Sequence, residues 1–297
     1  MAGKAGNLNV TWIHGSPNCA TTVDPPIQVH RFDDDTFILR QSKCSEPGTP
    51  ANPGSSFEAP FMYLLVGSAR ALLLDSGASQ SPVLFPIANT VGNLLSEHAA
   101  ALGKPPVPQL IAHSHSHGDH IAGDIQFHGK TNTTIVPPGL PNVKAFFSFP
   151  HWPDGAATIE LGNRTLDVIP IPGHESSHLA VYDRTTQLLL TGDTLYPGLL
   201  VVEDWLDYAR SIARLKSFAD LHPISFILGA HVEMKNQPKQ WFGLGTLFQP
   251  NEHVLQLDKS HLVELHNALT TLGIHGRTER HADFIIYPAD QPLPPNP

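Results

Sequence analysis

An α/β domain built from layers of sheet and helix is the fold class that this 297-residue sequence predicts. Three observations carry that prediction. Short apolar runs recur along the chain, each ended by glycine, proline or another turn residue, and they read as strands. Two longer segments between and after them carry helical spacing. Hydrophobic residues make up 41 % of the chain, enough for a sizeable core, and charged residues only 15 %, which suits neither a coiled coil nor a disordered chain.

The elements follow in order. Residues 1–25 are expected to be irregular. Gln28–Phe32 and Thr36–Arg40 read as two short strands around the turn Asp33-Asp34-Asp35. Residues 46–56 are a loop by composition. Phe61–Val66 and Ala71–Asp75 are apolar runs bounded by Gly67 and Gly77, and read as buried strands. Val83–Leu102 carries helical periodicity and stops at Gly103. Gln109–Ala112, the run from Thr134, Ala157–Leu161, Thr165–Pro170, Leu179–Tyr182, Gln187–Thr191 and Ser225–Gly229 are further strands. Leu206–Leu221 reads as a second helix, and residues 251–272 as a C-terminal helical segment. The tail from Tyr287, rich in proline, is expected to be extended. The chain thus divides into an irregular segment 1–25, a main domain 26–245 and a C-terminal extension 246–297.

Composition excludes some functions. The formal charge is −9 and no basic run occurs, so nucleic-acid binding has no electrostatic basis. No apolar stretch is long enough to span a membrane. Met1–Val10 lacks the apolar core of a signal peptide, so a cytoplasmic protein is expected, with a leader trimmed beforehand as the alternative. Cys19 and Cys44 sit in similar loop contexts and can pair, although no export signal points to an oxidising compartment.

Histidine is the compositional outlier, with 18 residues, and several cluster. In the string Ala112-His113-Ser114-His115-Ser116-His117-Gly118-Asp119-His120, the groups of His115, His117, Asp119 and His120 can all turn inward only from a loop, where Ser116 and Gly118 let the backbone bend. Imidazole suits zinc, and a neighbouring carboxylate adds negative charge to a dication site. Three more candidates each follow an apolar run and a glycine: His174 after Gly173, Asp193 after Gly192 and His231 after Gly229-Ala230.

This set, His115-x-His117-x-Asp119-His120, Gly173-His174, Thr191-Gly192-Asp193-Thr194 and Gly229-Ala230-His231, resembles the signature of the metallo-β-lactamase-fold hydrolases. The resemblance covers roughly residues 25–235. It implies a four-layer αββα sandwich with two metals at one edge. By motif, His115, His117 and His174 would bind one ion, Asp119, His120 and His231 the other, and Asp193 would bridge them. The register His113-x-His115-x-His117 is set aside because only the later one leaves Asp119-His120 in place. Asp75 resembles the family's supporting aspartate at a strand end, and a plain turn aspartate is the alternative. Two Zn²⁺ per chain are expected, with iron or manganese as alternatives. Two such ions lower the pKa of a shared water and present hydroxide near neutral pH, while Asp119 can orient the nucleophile or carry a proton.

The family's chemistry is broad, so the fold does not choose the substrate. True β-lactamases of the family lack the aspartate found here at Asp193, and flavodiiron-like members carry glutamate in place of His117. The expected reaction is hydrolysis of a small-molecule ester, thioester or lactone. The alternatives are amide or β-lactam hydrolysis and an iron redox role. Tyr196, three residues after Asp193, resembles a tyrosine that assists the substrate carbonyl in lactonases of the family, with a packing role as the alternative. The run Leu190–Tyr196 equally resembles the glyoxalase II motif. His178 is expected to pack or hydrogen-bond behind His174, Glu233, two residues after His231, to be solvated, with support of the metal ligands as the alternative, and Phe146, Phe147, Phe149 and Trp152 to pack or to wall a pocket.

Overall fold

A computed structural model describes residues 6–46, 48, 49, 52, 53 and 55–295. The first half of the chain runs β1 (Ile27–Asp33), β2 (Thr36–Gln41), the small hairpin β3 (Gly48–Thr49) and β4 (Asn52–Pro53), β5 (Phe61–Val66), β6 (Ala71–Leu74), α1 (Ile87–Ala101), β7 (Gln109–Ala112), the single turn α2 (Gly118–Ile121), β8 (Thr133–Ile135) and α3 (Leu140–Phe147). The second half runs β9 (Ala157–Glu160), β10 (Thr165–Pro170), β11 (Leu179–Asp183), β12 (Leu188–Gly192), β13 (Leu199–Val202), α4 (Trp205–Leu221), β14 (Phe226–Gly229), β15 (Gln256–Leu257), α5 (Lys259–Leu272), β16 (Glu279–Arg280) and β17 (Ile285–Pro288).

Two six-stranded sheets, ordered β1-β2-β5-β6-β7-β8 and β15-β14-β12-β11-β10-β9, face each other. Side-chain alternation along the strands builds the layers. On β5, Phe61, Tyr63 and Leu65 point between the sheets, where they meet Val168, Val181, Leu190 and Leu228. Met62, Leu64 and Val66 point the other way, onto Ile87, Val91 and Leu95 of α1. In the second sheet, Ala180, Leu189 and Ile227 point outward onto Tyr208, Ile212 and Leu215 of α4 and Leu262, Leu265 and Leu269 of α5. The result is the expected αββα stack. Strands buried on both faces are continuous apolar runs, which is why they were legible. Truncating one such leucine to alanine typically costs about 2–5 kcal/mol.

Several boundaries differ from expectation. The helix expected from Val83 starts at Ile87, because Pro86 sits at its N-cap and Val83 and Leu84 are exposed. Of the loop 46–56, Gly48–Thr49 and Asn52–Pro53 pair as a hairpin and Ser55–Glu58 forms a 3₁₀ turn; residues 47, 50, 51 and 54 lie outside the described residues. Only Lys259–Leu272 of the segment 251–272 is helical. Asp258 starts it, its carboxylate accepting from the Ser260 amide at 2.8 Å. Residues 256–257 instead add a strand to the second sheet. The tail opens in β17, which pairs in parallel with β13 in a third sheet, β13-β17-β16. Cys19 and Cys44 are joined by a disulfide. No helix among the described residues is long and apolar enough to cross a membrane.

Candidate metal centre

Each candidate ligand lies just beyond the C-terminal end of a strand, so the loops converge on one edge of the sandwich. β7 delivers His115, His117, Asp119 and His120; β10, β12 and β14 deliver His174, Asp193 and His231. Two glycines make the approach possible. Gly173 has φ +137°, and a Cβ there would meet the Tyr208 Cα of α4 at 2.3 Å. At Gly192, φ +51°, a Cβ would meet the Ser114 Cβ at 2.7 Å.

The seven groups fall into two sets that can each hold a metal ion: His115, His117 and His174, and Asp119, His120, Asp193 and His231. In the first, His115 Nε2, His117 Nδ1 and His174 Nε2 stand 3.0–3.2 Å from one another. In the second, Asp119 Oδ2 is 3.1 Å from His120 Nε2 and 3.2 Å from His231 Nε2. Asp193 spans the two. Its Oδ2 lies 3.6 Å from His174 Nε2 and 3.9 Å from His115 Nε2, while its Oδ1 lies 3.5 Å from His120 Nε2 and 3.4 Å from His231 Nε2.

The outer atoms of these rings are anchored. His174 Nδ1 donates to the Val201 carbonyl at 2.8 Å and His231 Nδ1 to the Glu58 carbonyl at 2.9 Å. His120 Nδ1 donates to Asp75 Oδ2 at 3.0 Å, and Asp75 Oδ1 accepts from the Ser114 amide at 2.6 Å. Asp75 holds φ +68°, an uncommon backbone state for a non-glycine residue at the end of β6. His117 Nε2 faces the exposed Glu203 carboxylate at 3.6 Å. With their outer nitrogens so committed, the inner nitrogens of His174, His231 and His120 point at the centre as lone pairs or as protons shared with carboxylates.

The donor set fits divalent cations. Zinc with imidazole nitrogens at about 2.0–2.1 Å in a tetrahedron sets those nitrogens roughly 3.3 Å apart, close to the spacing of the histidine trio. His120 Nε2 and Asp193 Oδ1 are buried without a hydrogen-bond partner. Protein groups alone also set the charge states. Burial, reinforced by His120 and His178, holds His115 well below the usual histidine range, in the neutral ligating form. Burial would raise Asp193, but His231, His120 and His115 outweigh it and hold it well below the usual carboxylate range. Burial would lower His231, but Asp193 and Asp119 outweigh it and raise it; Asp119 and Asp193 do the same for His120.

The structure separates other candidates. His113 is outside both sets, its Nε2 donating to Asp124 at 2.9 Å. His178 packs behind the trio, stacked on His115 with ring centroids 4.6 Å apart. Phe149 is buried between the sheets, and Phe147 and Trp152 pack against that core. Tyr196 is buried behind His231, and its hydroxyl donates to the Leu199 carbonyl at 2.6 Å. Glu233, expected to be solvated, is turned inward. Its Oε2 accepts from the Leu199 amide at 2.7 Å and faces the Tyr196 hydroxyl at 3.2 Å, and burial raises its pKa against the pull of His231. Glu58 was not singled out by the sequence. Its carboxyl is pushed up to about 8 by burial, with His231 opposing. Spacing two residues from His231 was the one signal for Glu233; an anchoring carbonyl leaves none.

Residues 56–231 match the family model described as the metallo-beta-lactamase superfamily, a span that includes all seven candidate ligands. The chain is similar to the acyl-coenzyme A thioesterase MBLAC2 of Gallus gallus, 26 % identical over 228 residues, which is 65 % of this chain and 76 % of that protein. It is also similar to the hydroxyacylglutathione hydrolase of Pectobacterium atrosepticum, 30 % identical over 137 residues, 46 % of this chain and 47 % of that one. Among solved structures, a metallo-beta-lactamase from Pontibacter korlensis superposes with TM-score 0.50 at 18 % identity, covering 82 % of this chain and 99 % of its own. TMB-1 superposes with TM-score 0.55 at 13 % identity, covering 84 % and 99 %. At these identities the structural likeness is one of fold.

Proposed function

This chain belongs to the metallo-beta-lactamase superfamily, a superfamily of metal-dependent hydrolases, and we propose that it is a dinuclear enzyme that hydrolyses a small-molecule thioester. One observation carries the dinuclear reading: the two oxygens of the Asp193 carboxylate face different ligand sets. In this reading His115, His117 and His174 would hold one cation, Asp119, His120 and His231 would hold the other, and Asp193 would serve both. Zinc is the proposed ion, because imidazole with carboxylate is its preferred donor set.

Two cations so held supply the Lewis acidity that activates water and polarises a carbonyl. The protein groups do the rest. Asp119, ionised and partly open to solvent, takes a proton from the attacking water and returns one to the departing thiolate. Water adds to the carbonyl carbon, the C–S bond breaks, and a carboxylic acid and a thiol leave. Tyr196 is assigned a positioning role, because its hydroxyl proton is already given to the Leu199 carbonyl. That assignment weakens the lactonase alternative, which needed a free tyrosine hydroxyl. The thioester is favoured because relatives of the chain are named for thioester substrates, acyl-coenzyme A and hydroxyacylglutathione.

The test is elemental analysis followed by a substrate panel: an acyl-coenzyme A, S-lactoylglutathione, an N-acyl homoserine lactone, nitrocefin and a phosphodiester. The expected outcome is two zinc ions per chain and kcat/KM for a thioester at least about tenfold above the other classes, which is ~1.4 kcal/mol of barrier. Preference for the lactone or nitrocefin rejects the thioester. Full activity after thorough chelation rejects the metal.

A further inference from the structure

We infer that the C-terminal sheet β13-β17-β16 is a positioning element of the metal centre: β17 fixes β13, and the outer edge of β13 orients His174. The inference rests on the metal reading above and extends it to a part of the chain outside the matched family span, which ends at residue 231.

The argument starts from the two edges of β13. Successive residues of a strand send their backbone groups to opposite edges. On one edge β13 pairs in parallel with β17, with Leu199 opposite Ile285 and Val201 opposite Tyr287. That edge is pinned at both ends: the Ile285 amide donates to the Gly198 carbonyl at 2.9 Å, and the Ala289 amide donates to the Val202 carbonyl at 2.9 Å. The other edge faces the centre. There the Val201 carbonyl accepts from His174 Nδ1, the Leu199 carbonyl accepts from the Tyr196 hydroxyl, and the Leu199 amide donates to Glu233, two residues from His231. One four-residue strand therefore carries a contact to a ligand of the first set and a support next to a ligand of the second.

The strand β17 is itself held from three sides. β16 pairs with it, Arg280 opposite Ile285. Ile285 and Tyr287 pack with Leu199, Met234 and Trp241 in a small apolar cluster. Just before it, Asp283 accepts from His253 Nε2 and from His261 Nε2, each at 3.2 Å. Orientation is what such a frame supplies. A ring anchored at Nδ1 presents Nε2 in one direction, and loss of partners of this kind commonly weakens metal binding by about 10- to 100-fold.

The experiment is cobalt titration of the metal-stripped full-length chain, followed by visible absorption, in the wild type, Ile285→Pro, Ala289→Pro and Ile285→Val. Each proline removes one amide donor to β13, whereas valine keeps it. Ile285→Pro is expected to weaken cobalt binding at the His115–His117–His174 set by about 10- to 100-fold and to change its absorption band. Ala289→Pro should show a smaller loss, and Ile285→Val should match the wild type. Wild-type affinity and spectrum in both proline variants overturn the inference; if Ile285→Pro does not fold, Ala289→Pro decides on the same criterion. A wild-type chain that takes up no cobalt sinks the metal reading itself, whereas uptake unaltered by proline sinks only the positioning role.

Discussion

Buried charge is concentrated at both ends of β10, and the two concentrations are built on opposite terms. At its start, Arg164 is enclosed and fully paired. Its guanidinium donates to Asp183 at 2.6 and 3.2 Å, to the Thr36 hydroxyl at 2.8 Å and to the Asp35 carbonyl at 2.7 Å. Beyond its end, His174 belongs to a group of histidines and carboxylates in which His120 Nε2 and Asp193 Oδ1 have no hydrogen-bond partner. A buried charge is tolerated when its donors and acceptors are satisfied within the chain. The Arg164 end meets that condition by itself and closes the sandwich. The histidine end meets it less fully, its rings and carboxylates standing 3.1–3.9 Å apart, and in the reading proposed above a cation between them completes it.

The comparison can be broken first at Asp193. Asp193→Ala is expected to lower the cation content and to cut turnover by about 10³-fold or more, roughly 4 kcal/mol of barrier, because one carboxylate serves both sets. Elemental analysis and steady-state rates check it, and unchanged values for both would end the bridging assignment. The matching change at the other end is Arg164→Ala. It leaves the buried Asp183 without its counter-charge, held only by the Thr185 and Thr186 donors, so chemical denaturation should show a loss of about 3–5 kcal/mol. The folded fraction should keep its full cation content; a drop there would mean that the two ends are not independent.

A pH series sharpens the contrast. His120 and His231 have pKa values raised above the ordinary 6.5 by the carboxylates around them. A cation must displace the protons those rings hold. Apparent cation affinity should therefore climb as pH rises and continue to climb above 6.5, up to the raised values, instead of levelling off there. A competition titration with a chelator from mildly acidic to mildly alkaline pH measures this, and a plateau already reached at the ordinary histidine pKa would contradict it. The smallest effect is expected at Tyr196. Tyr196→Phe removes the hydroxyl's contacts with the Leu199 carbonyl and Glu233, worth about 1–2 kcal/mol of stability in a melt, and should leave thioester turnover within a few-fold of wild type. A collapse of kcat with cation content intact would return the hydroxyl to the reaction.

Much of this was legible in the sequence for reasons that can be named. His115, His117, Asp119 and His120 lie in one loop, and each remaining candidate follows an apolar run and a glycine, so strand end and candidate ligand are read together. The helix α4, expected from Leu206, starts one residue earlier at Trp205, where the Asp204 carboxylate caps it by accepting from the Asp207 amide at 2.9 Å. Other parts were hidden. β13 and β17 are four residues long and pair with each other across a wide gap in sequence, and the local partner of β17, β16, has only two residues, so neither period nor turn chemistry marks them. Glu233 reads as a surface residue by type, and only its contacts with Leu199 and Tyr196 reveal it as turned inward and half-buried.

The sequence by itself determined the layered fold, the superfamily and the seven candidate groups, because hydrophobic alternation and ligand type are properties of side chains in local order. Tertiary structure alone decided how those groups are aimed. The two Asp193 oxygens are divided between the sets by the packing of four loops. His174 is steered by a carbonyl 27 residues along the chain, and His231 by one 173 residues back. Every residue carries a carbonyl, so no residue type announces which of them will stand beside a given ring; only the folded chain selects it.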